Sequence, residues 1–207
     1  MEQKRPADIF AEALDYLWNG LGLEEKGWKR LKESGFKKRA KNGLTYQILF
    51  ERSHYNCLDY ETGHGNVEVG IDYTIHQRDD FLYCFSINSM AGGFRFQLLT
   101  RDLLLDTGLL DTFLPLVKAN YLDFIDRFEA DPAGALQAVC APFTQPDDYS
   151  WVIRVEEQMV ERFGTPEQLA EYRRQEELLR TPEGRARQWM GTQIFYSSRA
   201  DYVDHAW

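Results

Sequence analysis

The 207-residue chain carries 24 Lys and Arg against 33 Asp and Glu, a formal charge of −9, with 43% hydrophobic and 14% aromatic residues. This is the usage of a folded globular chain rather than a disordered one, and a single domain of this size buries about 70% of its unfolded surface. No stretch approaches the roughly 18 apolar residues of a membrane span. MEQKRPADIF lacks the apolar run of a signal peptide, and Cys57, Cys84 and Cys140 show no CxxC spacing. The expectation is a cytoplasmic protein with reduced thiols, no disulfide framework, no membrane contact, no cofactor and no metal.

Charge is segregated along the chain. Residues 26–41 hold eight Lys or Arg against one Glu, a local +7 that leaves −16 elsewhere. The acidic bulk argues against non-specific nucleic-acid binding, while the basic segment leaves a specific contact open.

In ADIFAEALDYLWNGLG, Ile9, Phe10, Ala13, Leu14, Leu17 and Trp18 recur at three and four residues, which predicts an amphipathic helix ending at Gly20. LEEKGWKRLKES predicts a second short helix presenting Leu23, Trp28 and Leu31, with Gly35 as its stop. The period then changes to two. FKKRAK, the turn signal Asn42-Gly43 and LTYQILFERS read as a hairpin, and further strands follow at 67–76 and 81–88, with a fifth at 94–98. The intervening HYNCLDYETGHGN reads as a long surface loop carrying His54, Cys57 and His64.

Beyond residue 100 the spacing is helical again, in LLDTFLPLVKANYLDFIDRF up to Asp131-Pro132 and in SWVIRVEEQMVERFG. Thr165-Pro166-Glu167-Gln168 is a capping-box pattern, and Thr181-Pro182-Glu183 repeats the cap and proline. The order of helices (1–34), strands (35–99) and helices (100–207) predicts a single α+β domain. Its antiparallel sheet of four to five strands is packed on one face by the N-terminal and C-terminal helices.

Strand parity assigns the faces. A three-residue loop Arg78-Asp79-Asp80 sets Ile75 opposite Tyr83, Tyr73 opposite Phe85 and Ile71 opposite Ile87, an apolar wall. The other wall then sets Asp72 opposite Ser86, Thr74 opposite Cys84 and His76 opposite Leu82. In the first hairpin, matching Phe36 and Ala40 to Phe50 and Tyr46 requires the loop Asn42-Gly43-Leu44 and sends Lys37, Arg39 and Lys41 to the face of Thr45 and Gln47. In a meander the basic residues stand two strands from Glu68 and Asp72.

The plainest reading of that polar face is a solubilising surface of weakly attracting charges, each exposed pair contributing about 0 to 1 kcal/mol. Glu68, Asp72 and His76 lie about 13 Å apart in succession along a strand, so one metal ion cannot reach all three. His54 with Cys57 lacks an orienting third group, and AGGFR is not a phosphate loop. Rings near KKRAK face the core by the same parity, which weakens a stacking contact with nucleic acid.

The stretch LKESGFKKRAKNGLTYQILFERS followed by NVEVGIDYTI resembles the opening of a family of small uncharacterised bacterial domains. In that family a helix ends in a Gly-Phe-Lys-Lys-like turn and runs into strands with a Gln/Glu-rich polar face. The resemblance covers about residues 23–88 and implies an α+β fold with no catalytic residues to carry over.

The leading expectation is a non-enzymatic protein-interaction module, of the immunity-like kind that masks another protein's surface, using Lys37, Arg39, Gln47, Glu68, Asp72 and His76. One alternative is an enzyme on the same face, with His76 or His54 as base and Asp72 or Glu68 as its partner. The other is nucleic-acid binding through Lys37, Lys38, Arg39 and Lys41.

Overall fold

A computed structural model describes residues 3–32, 34–86, 96–137 and 153–183, without the side chains of a few positions among them, Cys84, Phe85 and Ser86 included. Helix α1 spans Pro6–Gly20 and buries Ile9, Phe10, Ala13, Leu14 and Leu17, the predicted stripe. Asp8 accepts from the Arg5 backbone N–H at 2.8 Å and from its guanidinium, and these bonds hold the Asp8 carboxyl at about 2.

The second short helix is not formed. Residues 21–27 are turns, and Lys29–Leu31 is strand β1, paired antiparallel with β2 (Gly35–Arg39). Gly22 and Gly27 have φ of 60° and 78°, left-handed conformations that a right-handed helix cannot hold. Leu23 and Trp28 are nonetheless buried. Gly35 opens a strand instead of closing a helix.

The remaining strands among the described residues are β3 (Leu44–Arg52), β4 (Cys57–Asp59), β5 (His64–Asn66), β6 (Glu68–Gln77), β7 (Asp80–Ser86), β8 (Phe96–Gln97) and β9 (Ile153–Val155). Seven form one antiparallel sheet in the order β1-β2-β3-β6-β7-β9, with β8 also on β6. β4 and β5 make a separate hairpin within the segment read as a loop. Helices α2 (Thr107–Val117), α3 (Asp123–Ala130), α4 (Pro132–Gln137), α5 (Glu157–Phe163) and α6 (Pro166–Arg180) follow in chain order. The architecture is the expected α+β, with a sheet wider than four to five strands because β1 and β9 come from segments read as helical. At the start of α6 the capping box is made: Gln168 N–H donates to Thr165 Oγ1 at 3.2 Å, and Thr165 N–H donates to Gln168 Oε1 at 2.9 Å.

Registers follow the predicted parity with two local corrections. β2 and β3 pair Lys37 with Gln47 and Arg39 with Thr45, two residues from the expected match, because Ala40 N–H bonds to Leu44 O around Lys41-Asn42-Gly43. β6 and β7 pair Asp72 with Ser86, Thr74 with Cys84 and Ile75 with Tyr83 as expected, then slip. Arg78 takes φ 55°, so the turn is two residues long and His76 stands opposite Phe81 rather than Leu82. Leu82, the extra residue of this bulge, is buried. Ile87, 91–95, Cys140 and the 184–207 part of the segment read as helical lie outside the described residues.

One core joins α1 and the later helices to the even-numbered residues of β3 (Tyr46, Ile48, Phe50) and the odd-numbered residues of β6 (Ile71, Tyr73, Ile75). The high aromatic content is spent here, in contacts such as Tyr83 stacked on Phe124 at 4.9 Å and Phe36 edge-on to Phe50 at 5.4 Å. Between α2 and α3, residues Lys118–Leu122 form a π-helical turn, with Asp123 N–H bonded to Lys118 O.

Tyr121, in that turn, packs on Tyr73 with ring centroids 4.8 Å apart and sends its hydroxyl into the sheet. The oxygen accepts from Gln47 N–H at 3.1 Å and donates to Thr74 O at 2.7 Å, so it bonds across the β3–β6 ladder at one registered pair. Burial pushes this phenol well above its ordinary range. Tyr121→Phe is expected to cost about 1 to 3 kcal/mol, because it leaves buried backbone groups short of a partner. An unchanged urea midpoint would refute that role.

Candidate functional site

The face of the sheet away from the helices is built by residues of opposite parity to the core. Reading across β1, β2, β3 and β6, its registered rows are Lys29–Lys37–Gln47–Thr74 and Leu31–Gly35–Leu49–Asp72. A further row is Arg39–Thr45–His76, continued on β7 by Phe81. Lys37, Arg39, Gln47, Asp72 and His76 therefore share one face, as parity predicts. Glu68 has the same parity but stands at the far end of β6, about 26 Å from His76 and opposite Gln97 of β8. Its backbone N–H and C=O are both bonded by the side-chain amide of Asn56.

The face is only partly wet. Lys37, Gln47, Leu49, Asp72, His76 and Phe81 are half-buried, and Thr74 at its centre is 5% exposed. His76 Nε2 lies 2.8 Å from Thr74 Oγ1, and its ring meets the Phe81 ring edge-on at 5.2 Å. Leu49 and Phe81 stand outside the apolar core, on the polar side of the sheet. Sequence reasoning did not single out Lys29, Leu49 or Phe81. Leu49 was visible as an apolar residue in the polar phase of LTYQILFERS, whereas Lys29 required β1 and Phe81 required the bulge.

Strand alternation splits the basic segment between the two faces. Lys37 and Arg39 lie on the outer face, whereas Lys38 points to the helices, 3.2 Å from Glu129 and 5.9 Å above the Tyr46 ring. Lys26 pairs with Asp126 at 3.3 Å and Arg30 with Asp15. Part of the local +7 is thus matched by acidic helices, and the charge segregation along the chain becomes contacts across the fold. Phe36 and Tyr46 are fully buried, so neither ring is available to stack on a base.

Burial lowers the His76 imidazole below its ordinary 6.5, and the charge of Lys37 adds to that effect. A histidine with a lowered folded-state value binds fewer protons when folded. Its contribution to stability is complete above the unfolded value and is lost as pH falls through 6.5 toward the lowered one. Wild type should therefore lose more stability than His76→Gln between about pH 8 and about pH 5. Parallel melting curves for the two proteins would exclude this.

Of the pairs in the enzyme alternative, Asp72 and His76 are not brought together. Asp72 lies about 13 Å from His76 along β6, and the imidazole bonds Thr74 instead. His54 is exposed beside Tyr55 and lines a shallow pocket of about 450 Å³ with Arg5, Pro6, Arg52, Ser53 and Asn56. Arg5 there forks onto Asp8, and the Arg52 guanidinium lies 5.1 Å from the Phe10 ring centre. Cys57 is exposed. Among the described residues no three His, Cys, Asp or Glu side chains group to hold a metal ion, and no helix is long and apolar enough to cross a membrane. Compared with family models, curated proteins and solved structures, the chain matches none.

Proposed function

We propose that the protein is a non-enzymatic interaction module that engages a protein partner through the outer face of its sheet. The observation that carries this reading is the placement of Leu49 and Phe81, half-buried apolar groups outside the core, among Lys37, Gln47, Asp72 and His76. Apolar groups within a polar surround are the anatomy of an interface, in which a few large side chains supply most of the affinity. The face is braced from behind by the Tyr121 bonds to Gln47 and Thr74.

Leu49→Asp separates this role from a solubilising one. The substitution adds a charge at a half-exposed position that contributes nothing to the core, so stability should change by only about 0.5 kcal/mol. A partner captured by the wild-type chain should be lost by the variant. Retention of every captured protein by Leu49→Asp would sink the proposal.

A further inference from the structure

Across β1, β2, β3 and β6 the outer face carries opposite charges toward opposite ends. Lys29, Lys37 and Arg39 form a cationic corner on β1 and β2, while Glu51 and Asp72 lie toward the other end of β3 and β6. Leu49 sits between the two groups, registered with Gly35 on one side and Asp72 on the other.

We infer that the partner this face fits is a second copy of the chain, docked sheet to sheet about a two-fold axis that passes beside Leu49. The inference rests on the interaction reading above. A two-fold interface uses the same patch on both copies, so its residues must be complementary to themselves. Rotation about an axis lying in the interface and perpendicular to the line between the charged groups brings each cationic corner over the partner copy's Asp72 and Glu51. The same rotation places Leu49 against the other copy's Leu49, where the strip between the charged groups is least polar. A face carrying only cations would repel its own copy, and one carrying only Asp72 and Glu51 would do the same. The mixed pattern removes that repulsion although each chain carries −9 overall.

Size sets the strength. The nine residues of β3 and five strands across give a face of roughly 26 by 19 Å, or about 500 Å² per copy. The two copies together reach about 1,000 Å², the lower limit for a specific interface. The dimer is therefore weak, salt-dependent and formed at micromolar or higher concentration.

Sedimentation velocity of the full chain, with concentration and salt varied, tests this. The expected result is a monomer–dimer equilibrium that shifts to monomer as salt is raised from about 50 mM to about 500 mM. Lys37→Glu should weaken the dimer about tenfold. The double variant Lys37→Glu with Asp72→Lys, which restores opposite charges across the two-fold, should recover it, a rescue that a merely structural effect of Lys37 would not give. A chain that stays monomeric at low salt and high concentration overturns the inference, as does a dimer indifferent to salt and to Lys37→Glu. If the chain is monomeric yet Leu49→Asp still abolishes capture of another protein, the interaction reading stands and the second copy falls. If Leu49→Asp changes neither measurement, both fall.

Discussion

Replacing Gly35 with alanine is expected to destabilise the protein by about 3 to 5 kcal/mol, through backbone strain and forced separation of two strands. Gly35 has φ of 140°, where L side chains are strained, and a Cβ there would lie 1.9 Å from Ile48 O and 3.1 Å from Leu49 Cα. Those atoms are backbone of β3, paired on its other side with β6, and cannot swing away as a side chain does. Relief requires β2 to lift from β3. That movement would break the bond from Phe50 N–H to Ser34 O and expose Phe36, whose ring packs on Trp18 at 5.2 Å and on Phe50 at 5.4 Å. It would also carry Lys37 and Arg39 off the outer face, so the weak dimer should be lost with the fold. Gly43→Ala is the control. At φ 83° it is strained as well, but nothing lies within 4 Å of its added methyl, so only about 1 to 2 kcal/mol is expected. Urea unfolding curves decide: equal losses at the two positions would mean that the contact with β3 does not govern Gly35.

The faces of this sheet are legible in the sequence because side-chain parity survives errors of register. The first hairpin pairs two residues away from the expected match, yet a shift of two returns every side chain to its own face, and Lys37, Arg39 and Gln47 remain together. The β6–β7 hairpin shows the opposite case. Its register holds from Asp72 to Ile75 and then slips by one at a bulge, which places Phe81 beside His76 and sends Leu82 inward. The turn responsible depends on Arg78 in a left-handed conformation, and arginine carries no signal for it.

Strand β1 escapes for a different reason. Three residues are too few to display a period of two, and Trp28 and Leu31 are spaced as a helix would space them. Its omission hid Lys29 and with it the full cationic corner of the face. The π-helical turn at Lys118–Leu122 is likewise absent from the apolar pattern, which runs through it as one helix. Tyr121 reads as another core aromatic, and only the structure reveals that its hydroxyl bonds the sheet ladder behind Thr74. What the sequence conveys well is thus which side of a strand a residue occupies. What it conveys poorly is anything set by one backbone angle or by a three-residue strand.

Side-chain parity along β6 is open to a direct test in two adjacent residues. Ile71 is fully buried opposite Phe50, and Ile71→Ala is expected to cost about 2 to 5 kcal/mol through lost transfer energy and the cavity left beside β3. Asp72, one residue on, lies half-exposed on the outer face, and Asp72→Asn should change stability by no more than about 0.5 kcal/mol. The two substitutions should exchange rank in the association measurement. Asp72→Asn removes a charge that faces the cationic corner of the second copy and should weaken the dimer without lowering the melting temperature. Ile71→Ala should lower the melting temperature while leaving association of the folded fraction intact. If instead Ile71→Ala proved neutral and Asp72→Asn unfolded the chain, the true register would differ by one residue. Every side chain on β6 would then change face, and the rows that bring Lys37, Gln47, Leu49 and His76 onto one surface would cease to exist.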